Sequence, residues 1–338
     1  MKEIIPGIYL LTLTLSGFAP GSVNTYLVET DDGFLTIDTG WDSPPSFHSL
    51  EGQLAEIGAR FTDIKQVIVT HCHIDHLGMI VRYKQSHNAK IYFHEDEREL
   101  IKIRFTGGDN LLPLTDKFLQ SHGFPASELP PPEILLPVPD NLAAIPADVL
   151  LHGGEEIPAG KYRLRVIPTP GHTQGHIALY EPNEKLLFSG DVLLPTIATN
   201  AALHIQHLVN PLQQYLNSLH ALKVLDVALV LPGHEQPFSN HRARIEDLFR
   251  LYRKKEKEIW DAVNGDQPKT AFEVSRILSW SPRTRTDNWP GLSGWDKRFA
   301  VLQTIAYLET LRFNHKLERS RKSGIYYYRR IEQENILN

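Results

Sequence analysis

The chain is poor in sulfur. Among 338 residues it holds one cysteine, Cys72, and two methionines. A single thiol excludes an intrachain disulfide framework and gives no sign of an oxidising compartment. Long apolar runs are also lacking. No stretch approaches the roughly 20 residues that a membrane-spanning helix needs, so no membrane partner is expected. The opening residues MKEIIPGIYLLTLTLSG are interrupted by Glu3, Pro6 and Gly7 and alternate at Ile8, Leu10, Thr12 and Thr14. That is strand patterning and does not resemble the apolar core of a secretion signal. A cytoplasmic location is the expectation. No internal repeat or low-complexity tract is apparent.

The formal net charge is only −5, but it is unevenly spread. Residues 242–338 carry 20 Lys/Arg against 13 Asp/Glu, leaving 15 against 27 for residues 1–241. The split suggests two units with different surfaces, 1–241 and 242–338.

Against this background, residues 71–76 read His-Cys-His-Ile-Asp-His, directly after the β-rich run from Gln66 to Thr70. Neutral imidazole and carboxylate are preferred ligands of zinc and its first-row neighbours. Crowding such groups without a cation is costly when they are buried. The internal position excludes a purification tag. Three further motifs lie downstream, each at the end of an expected strand: Pro168-Thr169-Pro170-Gly171-His172-Thr173-Gln174-Gly175-His176, Phe188-Ser189-Gly190-Asp191 and Leu231-Pro232-Gly233-His234. In each, a small or turn residue precedes a potential ligand and allows a tight backbone path.

The patterning predicts strands over Ile8–Leu15, Asn24–Glu29, Phe34–Asp38, Lys90–Phe93, Tyr162–Ile167, Ile177–Tyr180, Lys185–Ser189 and Val227–Leu231, with a hairpin signal at Asp32-Gly33. Helices are expected over Phe47–Ile57, Leu77–His87, Glu95–Arg104, Pro211–Leu222, Arg242–Val263, Thr270–Leu278 and Phe299–Leu311. Residues 105–150 break the rhythm. They are rich in proline and carry Leu111, Leu112, Phe118, Phe124, Ile134 and Leu135, which suggests a lid or substrate loop, or a structural wrap. Residues 316–330 read as a hairpin with a Ser-Arg-Lys-Ser-Gly turn, making a winged-helix-like module plausible after the helices.

These four motifs, in this order over residues 5–240, resemble the metallo-β-lactamase superfamily and, within it, the dinuclear hydrolases related to glyoxalase II. The resemblance implies an α/β fold, a four-layer αββα sandwich, followed here by a small, mainly helical domain. It implies one metal held by His71, His73 and His172, and a second by Asp75, His76 and His234. Asp191 would bridge the two. The implied cofactor is a pair of zinc ions, with iron or manganese as alternatives, activating water as hydroxide for attack on a small ester, thioester or lactone. Asp75 would orient that water and relay a proton. His176 has no ligand role in the pattern and is read as a supporting group. Cys72 occupies a spacer position. The penicillin-hydrolysing members usually place a cysteine at a second-metal position, which this chain lacks, so β-lactamase activity is not expected. Flavo-diiron relatives carry glutamate where this chain has His73, which favours zinc. Glutathione-binding sequences of a true glyoxalase II are not evident.

Two alternatives follow from relatives. One is an endoribonuclease on single-stranded RNA, with Arg319, Arg321, Lys322, Tyr326, Tyr327 and Tyr328 as phosphate and stacking contacts. Against it, the hairpin could simply pack on the first domain or join two copies of the chain. The other is a mononuclear iron persulfide dioxygenase using His71, His172 and Asp191 as a facial triad.

Overall fold

The computed structural model describes residues 1–15, 21–106, 111–129, 141–205, 209–265, 267–280 and 289–331. Its strands are β1 (Lys2–Ile5), β2 (Ile8–Thr14), β3 (Ser22–Thr30), β4 (Gly33–Ile37), β5 (Ile64–Ile68), β6 (Lys90–His94), β7 (Val149–Leu151), β8 (Glu156–Ala159), β9 (Tyr162–Pro168), β10 (Ile177–Glu181), β11 (Leu186–Gly190), β12 (Leu229–Pro232), β13 (Leu317–Lys322) and β14 (Ile325–Arg330). Its α-helices are α1 (Pro44–Ala55), α2 (Ile74–Leu77), α3 (Ile80–His87), α4 (Glu95–Thr106), α5 (Leu111–Ser121), α6 (Pro211–Lys223), α7 (His241–Ala262), α8 (Ala271–Ile277) and α9 (Gly294–Phe313).

By internal contacts the chain divides into two compact units. Met1–Gly107, Leu136–Thr199 and Asn217–Ile245 form the first; Gly108–Leu135, Asn200–Leu216 and Glu246–Asn338 form the second. The boundary drawn from charge at 241/242 falls near the break after Ile245. Two earlier segments nonetheless group with the C-terminal residues.

The first unit is a sandwich. One sheet runs β1-β2-β3-β4-β5-β6-β7, and the other β12-β11-β10-β9-β8. Strands β1 to β4 pair antiparallel, whereas β4-β5-β6-β7 are parallel. Alternation assigns the faces. On β2 and β3, Ile8, Leu10, Tyr26 and Val28 join a core shared with Leu164, Val166, Leu179 and Phe188 of the second sheet. Their neighbours Leu11, Leu13, Val23 and Leu27 face the opposite way, into a core shared with Leu50 and Leu54 of α1, Ile80 and Tyr83 of α3, and Leu100 of α4. Tyr26 meets Phe188 edge to face at 5.3 Å across the sandwich. Each fully buried Leu, Ile or Phe contributes on the order of 1.5–3 kcal/mol.

The second unit includes α5, α8, α9 and the β13–β14 hairpin. Lys269 forms a single bridge to Tyr328. Buried Glu309 of α9 accepts from the Tyr328 hydroxyl and the Arg319 guanidinium at 2.8 Å each, and from Arg312 at 2.9 Å. This bears on two of the six residues nominated for nucleic-acid contact. Tyr328 is wholly buried and Arg319 is ion-paired. The hairpin turn is also tighter than expected: only Ser323 and Gly324 lie between the strands, both with positive φ.

Other corrections are local. The helix expected at Leu77–His87 is two, α2 and α3, parted at Gly78-Met79, where a Cβ on Gly78 would lie 2.4 Å from the Ile74 carbonyl oxygen. Strands β1, β7 and β8 were not anticipated. Within 105–150 a helix, α5, replaces part of the expected loop. Gly107-Gly108, Pro130-Pro131-Pro132, Ile134, Leu135, Pro137 and Pro139 lie outside the described residues. Among the described residues no helix is long and apolar enough to cross a membrane.

Candidate metal centre

Every sequence-nominated ligand sits at the C-terminal end of a strand, where loops leave the sandwich. His71 and His73 follow β5, and Asp75 and His76 lie on the short helix α2. His172 is on the β9–β10 loop, Asp191 directly follows β11, and His234 follows β12. Two close-approach glycines make the convergence feasible. A Cβ on Gly190 (φ +48°) would meet His176 Nε2 at 2.7 Å, and one on Gly233 would meet Asp191 Oδ1 at 2.6 Å.

The seven side chains form two groups whose donor atoms lie within 4.8 Å of one another: His71, His73, His172 and Asp191; then Asp75, His76 and His234. His73 Nδ1 is 3.0 Å from His71 Nε2 and 2.9 Å from His172 Nε2. His234 Nε2 is 3.3 Å from both His76 Nε2 and Asp75 Oδ2. Asp191 stands between the groups. Its Oδ2 is 3.6 Å from His172 Nε2 and 3.5 Å from His234 Nε2, and its Oδ1 is 3.5 Å from His76 Nε2.

The hydrogen bonds behind this cluster orient the rings. Thr70 donates from its backbone N–H and its hydroxyl to Asp38, at 2.7 and 2.8 Å. The Thr70 oxygen is then left to accept from His71 Nδ1 at 3.0 Å. Asp38 Oδ2 also accepts from His76 Nδ1 at 2.8 Å, and the Ser22 carbonyl from His234 Nδ1 at 2.8 Å. In all three rings Nδ1 is engaged by the surrounding fold, which leaves Nε2 facing the centre. His176 is the supporting group that its position in the motif implied. Its Nε2 accepts the Asp191 backbone N–H at 3.1 Å, and its Nδ1 lies 2.7 Å from the Thr169 hydroxyl.

Charge divides the three rings. Burial, then the surrounding imidazoles, holds His71 well below the ordinary histidine range. Burial opposes charge on His76 and His234 as well, but there Asp191 and Asp75 outweigh it, joined by Asp38 at His76, and lift them to about 9 and about 11. Burial would raise the Asp191 carboxyl, yet His234 and His76 hold it well below the carboxylate range.

The residues present fit two divalent cations. The donors are imidazole and carboxylate. The buried Asp191 Oδ1 has no hydrogen-bond partner among the described residues, an atom whose demand a cation satisfies. Sequence reasoning missed the partners Asp38, Thr70, Thr169 and Asn24. Asn24 Nδ2 donates to the Pro232 and Glu235 carbonyls at 2.9 and 2.7 Å, fixing the His234 loop. Only Asp38 left a trace, as an acid ending a predicted strand.

Comparison with known proteins agrees. The chain is 28% identical over 265 residues to the probable metallo-hydrolase YqjP of Bacillus subtilis (strain 168), covering 77% of this chain and 82% of that protein. It is 27% identical over 243 residues to the acyl-coenzyme A thioesterase MBLAC2 of Homo sapiens, covering 68% and 76%. A metallo-beta-lactamase family protein from Thermus thermophilus superposes with a TM-score of 0.79 at 27% identity, covering 97% of this chain and all of that one. The sequence model described as the metallo-beta-lactamase superfamily matches residues 19–234. With the sandwich and the seven convergent candidate ligands, this makes the chain a member of the metallo-beta-lactamase superfamily of metallo-hydrolases.

Proposed function

We propose that the protein is a zinc-dependent hydrolase of a small acyl thioester, ester or lactone, with a glyoxalase II-like dinuclear site. The observation that carries this reading is the position of Asp191, within 3.6 Å of ligand nitrogens from both groups. Two divalent cations, if held there, would supply water of lowered pKa and a Lewis acid for the scissile carbonyl oxygen. His71, His73 and His172 would hold one and Asp75, His76 and His234 the other, with Asp191 placed to serve either. Asp75 is the proton-handling group. Burial would raise its carboxyl, but His76 and His234 keep it lowered and ionised. Its side chain is a quarter exposed, so its oxygens can take a proton and pass it to a leaving group. The thioester preference draws on the likeness to an acyl-coenzyme A thioesterase. Seven nitrogen and oxygen ligands, with Cys72 turned away from the centre, support zinc. The single cysteine supports a reducing, cytoplasmic setting.

The order of helices, the Lys269–Tyr328 bridge and the terminal hairpin support a winged-helix-like reading of the C-terminal residues. Its use for RNA is not favoured, since Tyr328 and Arg319 are spent on Glu309.

The test is metal analysis with a panel of acyl-coenzyme A thioesters, acyl esters and lactones. About two zinc ions per chain and turnover that falls ~100-fold or more in His73→Ala are expected. One iron with no zinc would sink the reading and favour the mononuclear triad of His71, His172 and Asp191. Hydrolysis of single-stranded RNA, with no acyl substrate turned over, would replace it with the ribonuclease.

A further inference from the structure

Glu97 is a carboxylate with no exposure to solvent, and the metal groups do not use it. It lies in the first turn of α4. Its Oε2 accepts the Cys72 backbone N–H at 2.6 Å. Its Oε1 accepts the Thr173 hydroxyl at 2.6 Å and the Gly175 backbone N–H at 2.7 Å. Cys72 lies between His71 and His73, and Thr173 follows His172 directly. One carboxylate therefore clamps the two loops that carry all three histidines of the first ligand group. The Ile177 N–H, bonded to the Thr70 carbonyl at 3.0 Å, ties the bases of the two loops, and Glu97 ties the parts that carry the histidines.

Two further features are shaped around this clamp. Gly175 permits it, because a Cβ there would lie 2.7 Å from Glu97 N and 2.9 Å from Glu97 Cγ. Seven residues on along the same face of α4, Arg104 Nη1 reaches Cys72 Sγ at 3.5 Å. Burial and the Glu97 charge push the thiol up, so Cys72 is an uncharged plug between Glu97 and Arg104.

We infer that Glu97 is a positioning residue for the first metal group, fixing the separation of His172 from His71 and His73 through hydrogen bonds to Cys72, Thr173 and Gly175. The second group has no bond to Glu97 among the described residues, so the effect is selective. A buried carboxylate accepting three charge-assisted bonds is hard to replace. Glutamine keeps the shape, but its amide turns a donor toward one set of N–H and O–H groups.

This inference rests on the metal reading of the site, and its test separates the two. Zinc affinity is measured by chelator competition on the full chain in two backgrounds. His234→Ala leaves the first group's histidines whole, and His172→Ala leaves the second group whole. Glu97→Gln is expected to weaken zinc ~10–100-fold in the His234→Ala background and to leave the His172→Ala background unchanged. Equal losses in both, or none in either, overturn the role of Glu97. Absence of zinc binding in the unsubstituted protein overturns the metal reading itself. If Glu97→Gln does not fold, Thr173→Val removes only the hydroxyl donor. It is expected to give a smaller loss in the same background alone, and an unchanged affinity there overturns the clamp.

Discussion

Gly233 shows how little room the centre has at the level of single residues. Its φ is not in the left-handed region, so alanine is barred there by space alone. An added methyl would meet Asp191 Oδ1 at 2.6 Å and His76 Cε1 at 2.8 Å. Gly233→Ala is therefore expected to displace Asp191, cut zinc content to about one ion or fewer and abolish hydrolysis, with little change in far-UV circular dichroism. Metal analysis alongside the spectrum checks this, and full zinc content in the variant would contradict it. The residue scale was also where the sequence was most legible. The seven side chains that the fold brings together stand in motifs whose spacing is itself a signal. Asp38, Thr70, Glu97 and Asn24 were not legible, because a lone acid, hydroxyl or amide gains its meaning only from what the fold brings against it. Glu97 lies inside Glu95-Asp96-Glu97-Arg98-Glu99, a run that reads as a solvated helix start.

At the scale of elements, long alternating strands such as β2, β3 and β9 were readable because both faces are tested by burial along many residues. Strands β1, β7 and β8 are three or four residues each, too short for period-two patterning to stand out. The residue directly after α5 offers a pH test. His122 is buried, donates from Nδ1 to the Phe118 carbonyl at 2.9 Å and packs on Tyr326 at 5.1 Å. Burial, countered only in part by the Phe118 carbonyl and Glu309, lowers it below its ordinary 6.5. A group lowered in the fold supports stability above its unfolded value, and that support fades as the pH falls below about 6.5. Melting temperature is thus expected to drop between pH 7.5 and 5.5. The drop should be smaller by a few degrees in His122→Phe. Identical pH slopes for the two proteins would show that His122 does not carry the effect.

On the scale of the whole molecule, the charge asymmetry pointed to two units but not to their membership. Composition is averaged along the chain, whereas segments 108–135 and 200–216 are assigned by long-range contacts that no window of sequence records. All seven ligands belong to the first unit. Binding that favours the native state stabilises it by about 2.7 kcal/mol when free metal is a hundredfold above Kd. Zinc is accordingly expected to slow hydrogen exchange in β5, β11, β12 and α2, with the smallest change in α8 and β13–β14. Exchange mass spectrometry with and without a chelator measures it. Uniform protection across both units would contradict the assignment.

The order of the ligands along the chain has a consequence for biosynthesis. His71 leaves the ribosome early, but His234 follows β12, which pairs in parallel with β11 at the margin of the second sheet. Another 163 residues must be translated after His71 before the last candidate ligand exists. The residues after Ile245 cannot by themselves supply every part of their own unit. A nascent chain halted before β12 would leave the β11 edge unpaired and the second ligand group without His234. Filling of both ligand groups is then expected only after β12 has joined the second sheet.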